Sequence, residues 1–413
     1  MNNSKLLNKL VNQEICRQNN SLELIASENY PSMKVRELQS SILTCKYAEG
    51  YPRKRYYGGC EYVDMIENLA ISEACNLFDC NFANVQPHSG SQANAAAYRA
   101  MNKILIEEGK IGPNDKMKIL SMKLSDGGHL THGSPVSFSS NTYKFSFFDL
   151  RDGYIDIHEI EKAIIKNKPH VLLIGCSAYP YEISFSEIKE LVVKYNLKLI
   201  VDMAHIAGLV AADYHISPIP YADIVTSTTH KTLRGPRGGL ILWNNSSYSK
   251  HINSAVFPYY QGGPLEHIIA AKAQCFIEAN TKSFKTYIKN VLKNTKAFSE
   301  QMNKLGAFCS NTDNHLVLLN TKKTYNLTGL AAQQLLEQNN ITTNKNMLPG
   351  DTLSPKETSG LRIGFAALTT RGCTVKIARK IAYVIHKIFT DVTYDAVMDV
   401  LEIINNLKYT EVL

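Results

Sequence analysis

The chain has 413 residues, 44% hydrophobic and 20% charged, with 45 basic against 37 acidic side chains and a formal net charge of +8. That length exceeds one ordinary hydrophobic core and predicts two domains, while the composition excludes a disordered or fibrous chain. No apolar run approaches a membrane span, and the nine scattered cysteines form no Cys-x-x-Cys pair, so neither membrane insertion nor structural zinc is expected.

The start, Met1 to Leu10, lacks the apolar core of a secretory signal, and with the unpaired cysteines it predicts a cytoplasmic protein. The positive charge is spread along the chain, which suits anionic ligands such as phosphates or polyglutamate tails. No compact basic stripe with interleaved aromatics is present, so nucleic-acid binding is not indicated.

In chain order, the first informative segment is Gln86-Pro87-His88-Ser89-Gly90-Ser91-Gln92-Ala93-Asn94-Ala95-Ala96-Ala97. A Ser/Gly turn entering an Ala-rich helix offers backbone N–H groups and a positive helix end to a phosphate, although such turns also serve as plain N-caps. Lys116 to Met122 and Val171 to Gly175 read as strands, and Ser186 to Tyr195 carries Ile188, Leu191 and Val192 at helical spacing. Leu197 to Asp202 follows as a strand ending in an acid. This βαβ pattern predicts an α/β domain with a mainly parallel sheet between helices. A carboxylate at a strand's C-terminal end stands where such sheets bind ligands, though it could equally cap the next helix.

Ala222 to Thr226 and Leu240 to Trp243 supply further strands, and between them lies Thr226-Ser227-Thr228-Thr229-His230-Lys231-Thr232. Its lysine precedes a Gly/Arg-rich loop, Arg234 to Gly239, whose cations could help it act as an amine that condenses with an aldehyde. From about Ser283 the pattern changes. Phe284, Ile288, Val291, Phe298, Met302 and Leu305 make a long amphipathic stripe ending at Gly306. His315 to Leu319 and Leu361 to Gly364 then read as strands before a helical tail, which predicts a smaller α+β domain.

With these residues in view, the chain resembles serine hydroxymethyltransferase, a fold-type I pyridoxal 5'-phosphate (PLP) enzyme, nearly end to end. The resemblance is carried by Leu22 to Asn29, Lys46 to Pro52, Arg55 to Gly59, Gly127 to Gly133, the Asp202 and Lys231 segments, Gln261 to Pro264 and Ser359 to Gly364. It implies an N-terminal arm over 1–45, a large PLP-binding domain over 46–282 and a small domain over 283–413. It also implies that L-serine and tetrahydrofolate are converted reversibly to glycine and 5,10-methylenetetrahydrofolate.

By the same resemblance, Lys231 carries PLP, Asp202 pairs with the pyridine nitrogen, His129 stacks on the ring, and Ser177 and His205 lie near its phenolic oxygen. Ser89, Gly90, Ser91 and His230 serve the phosphate, with Gly263 arriving from a second subunit. Thr228 sits beside the reacting lysine. Arg362 grips the substrate carboxylate, helped by Ser27 and Tyr47. Glu49 manages a proton at the substrate hydroxyl, Tyr56 and Tyr57 line the same space, and Leu124, Gly128, Leu130 and Asn346 lie toward the folate. The residues matching Tyr47, Glu49 and Tyr57 reach the neighbour's site in this family, which implies a homodimer with shared active sites.

Other readings stay open at the level of sequence. His129 and His132 could be polar core residues, or two ligands of a metal lacking a third, and no metal is expected. The tyrosines of 47–57 could be interface packing, and Arg362 a buried structural ion pair. The chain also departs from the family pattern at Arg53, Tyr259, Tyr260, Lys356, Phe365 and Ala366. Two rivals follow: a PLP lyase of 3-hydroxy amino acids that uses no folate, and a non-catalytic RNA-binding homologue.

Overall fold

The computed structural model describes residues 3–407, and the chain gathers into two compact units. One takes the chain up to Tyr30, the short stretch Ala178–Tyr181 and everything from Thr286; the other takes Pro31–Ser177 and Glu182–Lys285. The arm read from sequence as 1–45 is therefore divided between the units near residue 30.

The larger unit is built on a seven-stranded sheet. Its strands are β1 (Phe82–Asn84), β2 (Lys118–Met122), β3 (Lys144–Phe148), β4 (Val171–Gly175), β5 (Lys198–Asp202), β6 (Ile224–Thr228) and β7 (Gly239–Trp243). They lie in the order β1-β7-β6-β5-β4-β2-β3. From β6 across to β3 every pairing is parallel, while β7 runs antiparallel to both β6 and β1. β4, β6 and β7 are buried along their whole length. A parallel strand covered by helices on both faces has no solvent side, which is why β4 reads as a continuous apolar run rather than an alternating one.

The helix Phe185–Lys194 returns the chain from β4 to β5 and buries Phe185, Ile188, Leu191 and Val192, one face at helical spacing. The helix Gly90–Glu107 buries a small-residue face of Ala93, Ala95, Ala96, Ala97 and Ala100, continued by Tyr98, Met101, Ile104 and Leu105. These pack with Ile119, Val171, Leu173, Ile200, Ile224 and Ile241 from the sheet. Small side chains let the helix backbone approach the strands, and that approach fixes where its N-terminus points.

The smaller unit carries a three-stranded antiparallel sheet of β8 (Leu316–Asn320), β9 (Asn344–Asn346) and β10 (Gly360–Gly364), with β10 in the middle. A two-residue parallel pairing, Leu22 with Ile341 and Glu23 with Thr342, ties the N-terminal segment to this unit. Its core joins Leu22, Leu24, Phe298, Leu319, Ile363 and Phe365 with the inner face of the helix Val375–Thr390. The predicted long amphipathic helix runs over Lys282–Lys304 and buries Phe284, Ile288, Val291, Phe298 and Met302. Among the described residues no helix is long and apolar enough to cross a membrane.

Candidate active site

In the larger unit, Ser177, Asp202, Thr228 and Lys231 lie at or just beyond the C-terminal ends of β4, β5 and β6. Asp202 closes β5, and its Oδ2 accepts the Asn94 amide at 2.8 Å and lies 3.2 Å from His132 Nε2, while Oδ1 accepts the Ala204 N–H at 3.1 Å. Burial alone would raise this carboxyl. The hydrogen bond and charge of His132, the charge of His129 and the Asn94 amide outweigh it and hold the group well below the usual carboxylate range. Gly175, at the end of β4, clears this place, because a Cβ there would lie 2.8 Å from Asp202 Cβ.

Asn94 is the hub. Besides Asp202 its amide reaches Thr131 Oγ1 at 2.9 Å, and its carbonyl accepts the Thr226 hydroxyl at 2.6 Å. Thr131 in turn holds His129, whose Nδ1 takes the Thr131 N–H at 3.2 Å and lies 2.7 Å from Thr131 Oγ1. With Nδ1 accepting, a neutral His129 carries its proton on Nε2. Ser177 is drawn to the same turn by its N–H, which donates to the Gly127 carbonyl at 2.7 Å. Among the described residues, His129, His132 and Asp202 gather ligand atoms within 4.8 Å of one another, so the two histidines do meet a third group. In this structure His132 bonds Asp202 directly, and His129 is joined to it through Thr131 and Asn94.

Lys231 lies three residues beyond β6 in a folded loop and is buried. Thr229 organises that loop: its N–H donates to Gly238 O at 3.2 Å, its hydroxyl to Pro236 O at 2.6 Å, and its carbonyl accepts the Gly235 N–H at 2.7 Å. The Arg234 N–H closes a turn onto the Lys231 carbonyl at 3.1 Å, with Arg234 at a left-handed φ of 63°. Thr232 ties the loop to the buried His205 by a 2.9 Å bond to its carbonyl. Burial, then the charges of Arg237 and Lys231, push His230 down to about 3, so its ring is neutral.

The cradle forms where β1 runs into the helix Gly90–Glu107. Ser89 is the N-cap and accepts the Gln92 N–H at 3.2 Å; Ser91 is exposed in the first turn. Gly90 is required by proximity, since a Cβ there would stand 2.6 Å from Thr228 Cγ2. Thr228 Oγ1, His230 Nδ1 and His88 Nε2 are buried polar atoms with no hydrogen-bond partner among the described residues. Groups of that kind are rare in folded proteins. Together with a helix N-terminus, a buried amine and a charged strand-end acid, they fit a phosphorylated aldehyde with a ring nitrogen, which is PLP.

The tyrosine-rich segment makes a second cluster. The Tyr47 and Tyr57 rings lie 5.1 Å apart, and a Cβ on Gly263 would come within 3.1 Å of the Tyr47 ring. A Cβ on Gly262 would come within 3.2 Å of Glu49 Oε1. The Glu49 charge pushes the Tyr57 hydroxyl up from its ordinary value. Tyr47, Tyr56 and Tyr57 are exposed, as are Leu124 and Leu130, whereas Gly128 is buried with its N–H on Lys123 O at 2.9 Å. Arg55 anchors the segment through Asp64 at 2.8 Å, Glu67 at 2.5 Å and the Ala48 and Gly50 carbonyls. Arg53 adopts φ 63°, a left-handed conformation that favours glycine, and its N–H donates to Asp64 at 2.7 Å.

In the smaller unit Arg362 stands at the centre of β10, opposite Leu318 and Asn344, with its Nε 3.3 Å from Asn344 Oδ1. Burial pushes its guanidinium down to about 10. The Ser27 segment lies against the end of the same strand, because Gly364 donates to Leu24 O at 2.8 Å and a Cβ on it would meet Ala26 at 2.5 Å. Asn346 faces Gly360 across β9 and β10. Phe365 is a fully buried core residue 5.3 Å from the Phe298 ring, so that departure is accommodated by packing, and Lys356 is exposed. Tyr259 lies under the Arg99 guanidinium at 3.1 Å and against Tyr260.

A profile of the family described as "Serine hydroxymethyltransferase" matches residues 2–385. Proteins of that name include one from Lactobacillus acidophilus, 51% identical over 94% of this chain and 93% of its own length, and one from Prochlorococcus marinus, 52% identical over 88% and 87%. Another, from Malacoplasma penetrans, is 49% identical over 93% and 91%. With matches of that extent, the chain belongs to the serine hydroxymethyltransferase family.

Proposed function

We propose that this chain catalyses the reversible conversion of L-serine and tetrahydrofolate to glycine and 5,10-methylenetetrahydrofolate, in the cytoplasm, with PLP as its resident cofactor. The observation that carries the reading is the buried Lys231, three residues beyond Thr228 on the strand beside the one that ends in Asp202, together with the Thr228, His230 and His88 atoms that find no hydrogen-bond partner among the described residues. When bound, PLP supplies an electron sink for the pair released as the Cα–Cβ bond of serine breaks.

The chain's own residues supply position and proton control. Asp202, kept ionised by His132 and Asn94, holds the ring nitrogen protonated. His129, with its orientation fixed by Thr131, covers the ring, and Ser177 and His205 serve the phenolic oxygen. Ser89, Gly90, Ser91 and His230 hold the phosphate, with Gly263 from a second copy, and Thr228 stands beside the Lys231 amine. Arg362 takes the substrate carboxylate as a planar fork, with Ser27 and Tyr47 beside it. Glu49 holds and releases the proton of the serine hydroxyl, with Tyr56 and Tyr57 shaping that space. Leu124, Gly128, Leu130 and Asn346 line the folate side. The exposure of Tyr47 and Tyr57 supports a homodimer in which these side chains, with Glu49, complete the neighbour's site.

The test is the visible spectrum of the purified holoenzyme on adding glycine, then glycine with tetrahydrofolate. We expect a cofactor band that depends on Lys231 and a second, strong long-wavelength band only when folate is added. A band that responds to glycine and ignores folate would instead support the folate-independent lyase. No cofactor band at all would overturn the proposal.

A further inference from the structure

Lys272 is a buried lysine, 1% exposed, on the helix Glu266–Ala279, and none of the roles above uses it. Its ammonium donates to three backbone carbonyls, Val85 at 2.6 Å, Gly239 at 2.8 Å and Pro87 at 3.0 Å. An ammonium has three N–H donors, so all three are matched by acceptors from two different strand ends. Val85 and Pro87 belong to the segment between β1 and the Ser89 cap, and Gly239 opens β7. The Gly239 N–H also donates to Pro87 O at 2.9 Å, and a Cβ on Gly239 would strike the Ser89 carbonyl at 2.3 Å. Gly238 leaves room for the lysine stem, since a Cβ there would lie 2.4 Å from Lys272 Cε. Gln261 completes the frame by donating to Gln86 O and accepting from the His88 N–H, each at 3.0 Å.

All three acceptors of Lys272 are neutral. A buried cation with no carboxylate bonded to it is costly, and burial pushes Lys272 down to about 7, against the opposing charge of Glu67. The groups that face it electrostatically are Glu67 from the helix Glu61–Phe78, His88 and His230 from the two loops, and Cys275 on its own helix. A hydrophobic residue of similar volume could fill the same space at no charge cost. The cation is rewarded where a dianion binds on the other side of the backbone that it holds.

We propose that Lys272 is a positioning residue of the phosphate site: its ammonium fixes the Val85, Pro87 and Gly239 carbonyls and places a positive charge behind the bound phosphate. This rests on the reading that the Ser89–Gly90 cradle takes the phosphate of PLP. The charge acts through the backbone, so it favours a phosphorylated ligand over an uncharged one of the same ring.

The experiment compares equilibrium binding of PLP and of pyridoxal, which lacks the phosphate, to apoprotein carrying Lys272→Met or Lys272→Gln. PLP affinity should fall about 10- to 100-fold, the range for losing one charge-assisted interaction, while pyridoxal affinity moves by less than about threefold. Calorimetry of the wild-type apoprotein at pH 8 in buffers of different ionisation enthalpy gives an arm that needs no variant to fold. There PLP should take up protons that pyridoxal does not, because the bound dianion recharges Lys272. His230 and His88, both lowered by burial, stay neutral at that pH. Equal losses for both ligands, unchanged PLP affinity in the variants, or no PLP-specific proton uptake would each overturn the inference. Wild-type apoprotein that binds neither ligand would overturn the cofactor reading itself.

Discussion

His132 Nε2 and Asp202 Oδ2 lie 3.2 Å apart, on the carboxylate oxygen that also accepts the Asn94 amide. The acid that ends β5 is thereby fixed in orientation and in charge. Its depressed pKa lies below the unfolded value of about 3.9, so its contribution to stability is complete above that pH and is lost only as pH falls further. Asp202→Asn keeps the shape and removes the charge. We expect turnover to fall at least ~100-fold, as when one preorganised electrostatic partner is removed from a reacting group. Steady-state kinetics alongside cofactor absorbance will check it; a loss below tenfold contradicts the assigned role.

Gly90→Ala tests the closeness of the cradle to β6. Its methyl would stand 2.6 Å from Thr228 Cγ2, so either Thr228 or the first turn of the helix must move. Overpacking of this kind costs about 1–3 kcal/mol. We expect weaker PLP binding together with a lower thermal midpoint, and an alanine variant that binds PLP like the wild type would refute the tight contact.

Glu266 gives a pH prediction. Its side chain is fully buried 3.6 Å from Arg55, and burial, then the charge of Glu67, push it up to about 8. An unfolded glutamate titrates near 4.3, so between about pH 4 and 8 the native state holds a proton that the unfolded chain has lost. Stability therefore falls as pH rises through that window, by at most about 1.4 kcal/mol per pH unit. Glu266→Gln should remove this slope. Thermal midpoints of both proteins at pH 5 and pH 8 will show the variant losing less on going to the higher pH, and parallel losses would contradict the shift.

Phe365→Ala probes the smaller unit. The side chain is fully buried against Phe298, and truncating a buried phenylalanine costs about 3–5 kcal/mol. Chemical denaturation should register that loss, while PLP binding by folded protein, measured below the transition, should stay within about twofold.

The strands were legible because their physics is local. Val171–Gly175 is a continuous apolar run, Lys198–Asp202 has an apolar centre, and the helix between them carries its buried face at regular spacing. The short strands Phe82–Asn84 and Asn344–Asn346 were not, since three residues carry no period and pairing alone defines them. The same divide runs through the site. Lys231, Asp202 and the Ser-Gly turn stand in recognisable local settings, but Asn94 acts on an acid 108 residues away and Lys272 on a carbonyl 187 residues away. A hint existed for Asn94, a lone amide within an Ala-rich buried face. Lys272 lies between the buried Ala271 and Ala273, and only the closed tertiary structure brings its ammonium to backbone carbonyls.

The reversal of β7 has a consequence for how this enzyme can vary. Because β7 begins beside the end of β6, the chain between them never crosses a face of the sheet. Residues 229–238 are instead a short bridge anchored at both feet, with Thr229 and Gly238 bonded to each other. A link that returns through a helix, as Phe185–Lys194 does between β4 and β5, has surface turns at which it can lengthen. This bridge has no such slack, so an inserted residue must displace Lys231 itself. Length variation among functional descendants of this chain should therefore be absent from 229–238, and a library of single-residue insertions scored for growth on serine-derived one-carbon units would reveal that gap.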